Sequence, residues 1–164
     1  MSKKISFLGM FLALALILSY VESLIPFSFG IPGVKLGLTN IVIVFMLYFF
    51  GPTECLLVTF FRAVLSGFLF GNVFSIIYSL AGCLLSFAVM YKIKKTGKFK
   101  PISISLLGGI FHNIGQLIVA AVIVETYSII YYVPVLIIAG AITGLVIGII
   151  SQEIILRINS NIEF

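Results

Sequence analysis

Aspartate and tryptophan are absent from this chain of 164 residues, histidine occurs once, and only 9 % of the residues are charged. Each shortage removes a class of protein. A soluble domain carries about 25 % charged residues. A chain that is 62 % hydrophobic, with a mean hydropathy of +1.30, therefore belongs in a bilayer. The five acidic residues, Glu22, Glu54, Glu125, Glu153 and Glu163, are scattered and none lies in the middle of an apolar run. Clustered carboxylates of the kind that hold magnesium for diphosphate chemistry are missing, as is a Gly-rich phosphate loop. Two cysteines, Cys55 and Cys83, have no zinc-ligand spacing and read as small packing residues. The net charge of +5 would suit nucleic acid, but the basic residues flank apolar runs, where they report topology instead, so nucleic acid is rejected as a partner.

What is present is a series of apolar runs divided by turn and charge signals. They predict an all-α integral membrane protein, a single transmembrane domain over 1–164, with six spans at about 5–25, 36–50, 55–70, 74–91, 102–124 and 132–156. Pro26 to Pro32 with Gly30 and Gly33, then Gly51-Pro52, Gly71-Asn72 and the stretch from Lys92 to Pro101 punctuate them. Lys3 and Lys4 before the first run resemble a secretory signal, but no small-x-small cleavage site precedes Pro26, so the run reads as a retained helix. The third span is short and contains Arg62, which makes it a candidate for tilt, a break or re-entry.

With six spans, Lys3, Lys4, Lys92, Lys94, Lys95, Lys98, Lys100 and Arg157 share one side, and the other holds only Lys35 with Glu22 and Glu125. That asymmetry places both termini in the cytoplasm. The basic stretch 92–100 reads first as an anchor at the lipid headgroups and second as a docking site for a soluble partner. Gly140, Gly144 and Gly148 recur every fourth residue, a groove for close helix packing, and Gly9, Ala13 and Ala15 make a shorter version in the first span, suited to a neighbouring membrane subunit.

Polar residues inside the spans carry the functional signal. His112, Asn113 and Gln116 are spaced to share one side of a helix, and Arg62 lies at similar depth with no carboxylate beside it, since Glu54 is eight residues, about 12 Å, away along the helix. Glu22, Lys35 and Asn40 at the first and second spans, with Tyr20 and Thr39, and Asn72 at the end of the third, complete a candidate lining for an outward-facing cavity. Two readings follow: the amides and histidine bind helices together, or Arg62 meets an anionic ligand that the others hydrogen-bond. His112 beside Ser66 or Ser105 has no spacing that singles out a catalytic triad.

The segments ALALILSYVESLIPF (13–27), IPGVKLGLTNIV (31–42), FFRAVLSGFLFG (60–71) and GGIFHNIGQLIVAA (108–121) resemble the bacterial membrane family labelled both "Gx transporter" and "heptaprenyl diphosphate synthase component I". That family is similar to the S components of energy-coupling factor (ECF) transporters. The resemblance implies a six-helix S-component-like bundle in the bacterial inner membrane. It also implies a substrate pocket covered by the loop from Glu22 to Lys35, and a first helix that docks on a transmembrane coupling subunit served by ATPases. It brings flavin, vitamins and quinone or isoprenoid precursors into view as ligands. Polyprenyl synthases share aspartate-rich motifs that this chain lacks, so the expectation is a binding protein and not an enzyme. The alternative is a non-catalytic accessory subunit of a prenyl-quinone or flavin-based electron-transfer system, docking through the 92–100 loop and its glycine-rich faces.

Overall fold

The computed structural model describes residues 2–25, 37–125 and 131–161 and is all-helical over them. Six helices follow in order: α1 (Ser2–Leu24), α2 (Asn40–Phe49), α3 (Pro52–Phe70), α4 (Val73–Lys95), α5 (Pro101–Val124) and α6 (Val133–Asn161). Local chemistry sets several boundaries. Pro52 and Pro101 occupy first-turn positions, where the missing N–H has no partner to lose. Asn72 caps α4 by accepting from the Ser75 N–H at 2.8 Å, and Glu125, left-handed at φ 50, ends α5.

Five helices are long and apolar enough to cross a membrane, all but α2. The second span expected over 36–50 is thus corrected: its helix has ten residues, about 15 Å, or half of a hydrocarbon core of about 30 Å. The reason lies at Gly37, whose φ of +82 is left-handed and breaks any helix continuing toward the amino terminus. The turn beyond it closes with short-range bonds from the N–H groups of Asn40, Ile41 and Val42 to the carbonyls of Gly37, Leu38 and Thr39. Backbone donors that would otherwise be stranded at membrane depth are satisfied there. The third span is not broken: α3 runs unbroken through Arg62 for 19 residues.

The short helix is the hub. Every other helix packs against α2, and Val42, Ile43, Val44, Met46 and Leu47 are buried with Ala15, Cys55, Val58, Phe87, Met90 and Ile104, while Ile41, Phe45, Tyr48 and Phe49 are half-buried. At its carboxyl end Lys94 of α4 donates to the Leu47 carbonyl and lies 5.1 Å from the centre of the Tyr48 ring. That lysine ties two helices together rather than reaching for lipid. Lys4 of α1 pairs with Glu54 in the first turn of α3. These contacts put the start of α1, the α2–α3 junction and the end of α4 at one lysine-bearing end.

The α5–α6 pair packs antiparallel through glycines. A Cβ on Gly109 would stand 2.2 Å from the Gly140 carbonyl oxygen, one on Gly144 2.7 Å from that of Ser105, and one on Gly148 2.8 Å from the Ile102 Cα. Gly140, Gly144 and Gly148 therefore serve packing within the chain. In hydrocarbon, where burial brings no hydrophobic gain, such close backbone approach holds helices together by dispersion. On α1 the small residues divide: Gly9 and Ala13 are exposed, with open space beside Gly9. Ala15 is fully buried against the core and is removed from any outer docking face.

Substituting Gly109→Ala forces backbone apart and is expected to lower stability by about 1–3 kcal/mol. Gly9→Ala, with nothing to strike, is expected to be neutral or slightly stabilising. Thermal unfolding of both purified variants in one detergent checks the pair; equal losses would remove the α5–α6 glycine contact as a stabilising feature.

Candidate functional site

Five elements converge about half-way along the bundle. Arg62 is ten residues into α3, His112 eleven into α5, and Asn40 nine residues from the far end of α2. Each is thus about 15 Å from the lysine-bearing end. All three side chains are buried, with Arg62 and His112 each 2 % exposed.

Their contacts form a continuous chain. Glu22, buried at the end of α1, accepts from the Gly37 N–H just ahead of α2, where a carboxylate is also favoured by the helix dipole. The Ser19 and Thr39 hydroxyls share a 3.1 Å hydrogen bond beside it. A Cβ on Gly37 would lie 3.3 Å from Asn40 Nδ2 and 3.7 Å from His112 Cδ2, so the turn, α2 and α5 meet at this point. On the other side of His112, a Cβ on Gly82 of α4 would lie 2.7 Å from the His112 carbonyl oxygen and 2.9 Å from Gln116 Cγ. The next residue of α4, Cys83, faces α3 and receives a hydrogen bond from Arg62 Nη2 at 2.8 Å.

Several of these groups are incompletely answered. Gln116 is 0 % exposed, and neither its Nε2 nor its Oε1 has a hydrogen-bond partner among the described residues. Arg62 Nε lacks one as well. No carboxylate stands within ion-pair distance of Arg62 among the described residues, where the only pair of that kind is Lys4 with Glu54. An intramembrane guanidinium and a two-ended amide left in this state are costly, each unmade hydrogen bond leaving the full desolvation penalty. Thr59 and Ser66, the buried hydroxyls flanking Arg62 on α3, donate to carbonyls of their own helix, Cys55 and Ala63, and do not help it.

Of the residues expected from sequence, Glu22, Asn40, His112 and Gln116 are joined by close approaches at Gly37 and Gly82, and Arg62 connects to them only through Cys83, the chain neighbour of Gly82. Asn113 points away from this chain of contacts, donating from Nδ2 to the Leu136 carbonyl of α6 at 2.8 Å, as helix glue. Asn72 is exposed and spent on capping α4, ten residues beyond Arg62, so it does not line the cluster. Lys35, and most of the expected covering loop, lie outside the described residues. Cys83 and Gly82 are additions. Reading Cys83 as a small packing residue holds for Cys55, which sits in the apolar core, but not for Cys83. A signal was available: Ser75, Ser79, Gly82 and Ser86 recur at helical spacing and mark the inward face of α4, all four buried.

An open apolar groove of about 350 Å³ adjoins the cluster, lined by Phe11, Leu14 and Leu18 of α1, Ile41, Val42 and Phe45 of α2, and Ile154 and Ile158 of α6. Leu18 and Ile41 are the chain neighbours of Ser19 and Asn40. The groove runs from there toward the lysine-bearing end. Among the described residues no three of His, Cys, Asp and Glu gather as a metal site.

The model of a family described as "Heptaprenyl diphosphate synthase component I" matches residues 11–154, which is most of the chain and includes every helix named above in whole or in part. No curated protein and no solved structure matches.

The unmet amide gives a test of what the cluster is for. Gln116→Met keeps the length of the side chain and removes two unpartnered polar atoms, so it is expected to raise stability by about 1–3 kcal/mol in thermal unfolding of the purified protein. A loss of stability instead would mean that Gln116 is structural glue.

Proposed function

The chain belongs to the heptaprenyl diphosphate synthase component I family, and we propose that within it this protein is a membrane-embedded binding component of the Gx transporter type, which captures a small anionic molecule at mid-membrane. The observation that carries this reading is Arg62, 2 % exposed and hydrogen-bonded to Cys83 of α4 with no carboxylate partner among the described residues, while the buried amide of Gln116 on α5 is unmet at both ends. Arg62 would take the anionic group, and Gln116, His112 and Asn40 would hydrogen-bond the rest of the polar head. Access would be from the end opposite the lysines, through the segment following Glu22, and the lysines would set that end on the outer side of a bacterial inner membrane.

The apolar groove narrows the ligand class. A molecule with its head at Arg62 and Asn40 has an apolar surface leading away past Leu18 and Ile41, which suits a phosphorylated isoprenoid or a quinone precursor better than a compact vitamin or a flavin. The family's description, which names a prenyl diphosphate synthase, points toward the same chemistry. The donor set favours binding over catalysis, since prenyl transfer relies on carboxylate-held magnesium and this chain has no aspartate. Uptake across the membrane would draw on a coupling subunit with ATPases, meeting the exposed Gly9 and Ala13 of α1; Gly140, Gly144 and Gly148 are already engaged by α5.

A second reading, an accessory subunit that positions a prenyl-quinone or electron-transfer enzyme, is favoured by the exposed basic residues Lys92, Lys95, Lys98 and Lys100 with Phe99 between the last two. The two separate by substitution. Native mass spectrometry of the purified protein with farnesyl diphosphate and, separately, flavin mononucleotide is expected to show one bound molecule of the former, lost at least about tenfold in affinity, about 1.4 kcal/mol, in Arg62→Gln. Charge reversal at Lys98 and Lys100 is expected to leave that binding intact. No binding of either compound, with loss of a co-purifying partner on charge reversal, would transfer the assignment to the accessory role.

A further inference from the structure

We propose that the seam between α1 and α6 holds one acyl chain of a phospholipid, drawn from the leaflet on the lysine-bearing side and lying along α2. The long helices follow one another around α2: α1 packs on α3, α3 on α4, α4 on α5 and α5 on α6. Among the described residues α6 and α1 do not meet, so the ring is open at one place. There the central helix shows through, with Ile41 and Phe45 half-buried although all the other helices pack against it. The apolar groove of about 350 Å³ lies in this seam, walled by Phe11 and Leu18 of α1 and by Ile154 and Ile158 of α6.

Chemistry and size select the occupant. Every side chain lining the groove is apolar, so it offers no polar molecule a hydrogen bond and no ordered water the several polar partners it needs. A helix from a partner protein is too large. One helical turn, about 5.4 Å long and about 10 Å across with its side chains, fills about 420 Å³, more than the whole groove. A single hydrocarbon chain is narrow enough, and by following the walls it restores the dispersion contacts that a concave apolar lining otherwise forgoes. The two ends of the groove set its direction. One end lies at Leu18 and Ile41, the other at Ile158, three residues from the end of α6. Arg157, exposed, is the chain neighbour of Ile158, with Glu153 exposed one turn earlier, and Lys4 of α1, paired with Glu54, lies at the same end of the bundle. The phosphate therefore belongs at the Ile158 end, where Arg157 supplies a cation, and the tip of the chain beside Ile41. This site is carried by the seam alone. Where the apolar part of the proposed anionic ligand also takes the groove, it displaces the lipid chain, and that exchange rests on the anion-binding reading.

The chain has no tryptophan, so one introduced indole reports alone. In nanodiscs of phosphatidylglycerol with dibrominated acyl chains, which quench on contact, Phe45→Trp is expected to be quenched nearly as strongly as Ile138→Trp on the exposed face of α6. Both should be quenched several-fold more than Tyr78→Trp, which is buried among Leu117, Ala120 and Leu136. Quenching of Phe45→Trp as weak as that of Tyr78→Trp overturns the proposal. If Phe45→Trp does not fold, Phe11→Trp reads the same groove from the facing wall. Native mass spectrometry of the protein moved from these nanodiscs into detergent is expected to retain one phospholipid, several-fold less in Leu14→Trp, whose indole fills the groove from its rim, and equally in Ile138→Trp. Quenching without retention would mean that lipid only passes over the surface, and rejects the site. Added farnesyl diphosphate keeps the two readings apart. If it binds and lowers the quenching at Phe45→Trp, the exchange holds; if it binds and leaves the quenching unchanged, the exchange is rejected. If it does not bind, the anion-binding reading fails while quenching and retention still decide the lipid site.

Discussion

The fold depends on one constraint: at the depth of α2 no water is at hand, so each polar group must find its partner inside the protein. Beginning a helix in mid-membrane strands backbone donors, and the chain answers them with the left-handed turn at Gly37 and three short-range bonds to its carbonyls. Glu22 then takes the Gly37 N–H, and the Ser19–Thr39 pair closes the space beside it. The half-length helix is thereby fixed at both ends, since Lys94 holds the Leu47 carbonyl at the other. The five long helices pack around this hub, and its start lies at the height where Asn40 meets His112 of α5.

That geometry divides the bundle into two kinds of contact. Between α5 and α6 glycines bring backbones together, leaving no room for a ligand and little tolerance for a methyl group. Between α4 and α5 glycines again bring backbones close, at Gly82 and Gly115, but buried polar side chains lie beside them, and Gln116 of α5 and Arg62 of α3 retain unmade bonds. Close glycine packing and unmet polar groups thus stand side by side in the bundle, and the energetic deficit is concentrated at Arg62 and Gln116. The apolar groove beside α2 begins at the chain neighbours of Ser19 and Asn40 and is lined by apolar side chains of α1, α2 and α6.

Legibility in the sequence varied with the range of the interaction. Four of the long spans were readable within a few residues, because hydropathy over about 20 residues and the prolines at 52 and 101 act locally. Arg62, His112 and Gln116 were readable as buried interior residues because polar residues are conspicuous in apolar runs. Asn72 was misplaced because a cap and a ligand contact draw on the same side-chain chemistry, and only the α3–α4 turn shows that it is spent on Ser75. Ala15 was misplaced because small residues look alike on every face until the neighbouring helix is in position.

The sequence by itself determined that the protein lives in a bilayer, how many helices it has, which end bears the lysines, and that an arginine without a carboxylate lies deep within it. These follow from composition and from periodicity over one helix, quantities that the chain carries before it folds. Only the tertiary structure decided that α2 is a ten-residue helix, too short to span a membrane, that Asn113 serves α6 while Gln116 stays unmet, and that Cys83 rather than any carboxylate among the described residues faces Arg62. Those are contacts between helices, fixed by how far one backbone can approach another, and no local pattern encodes that distance.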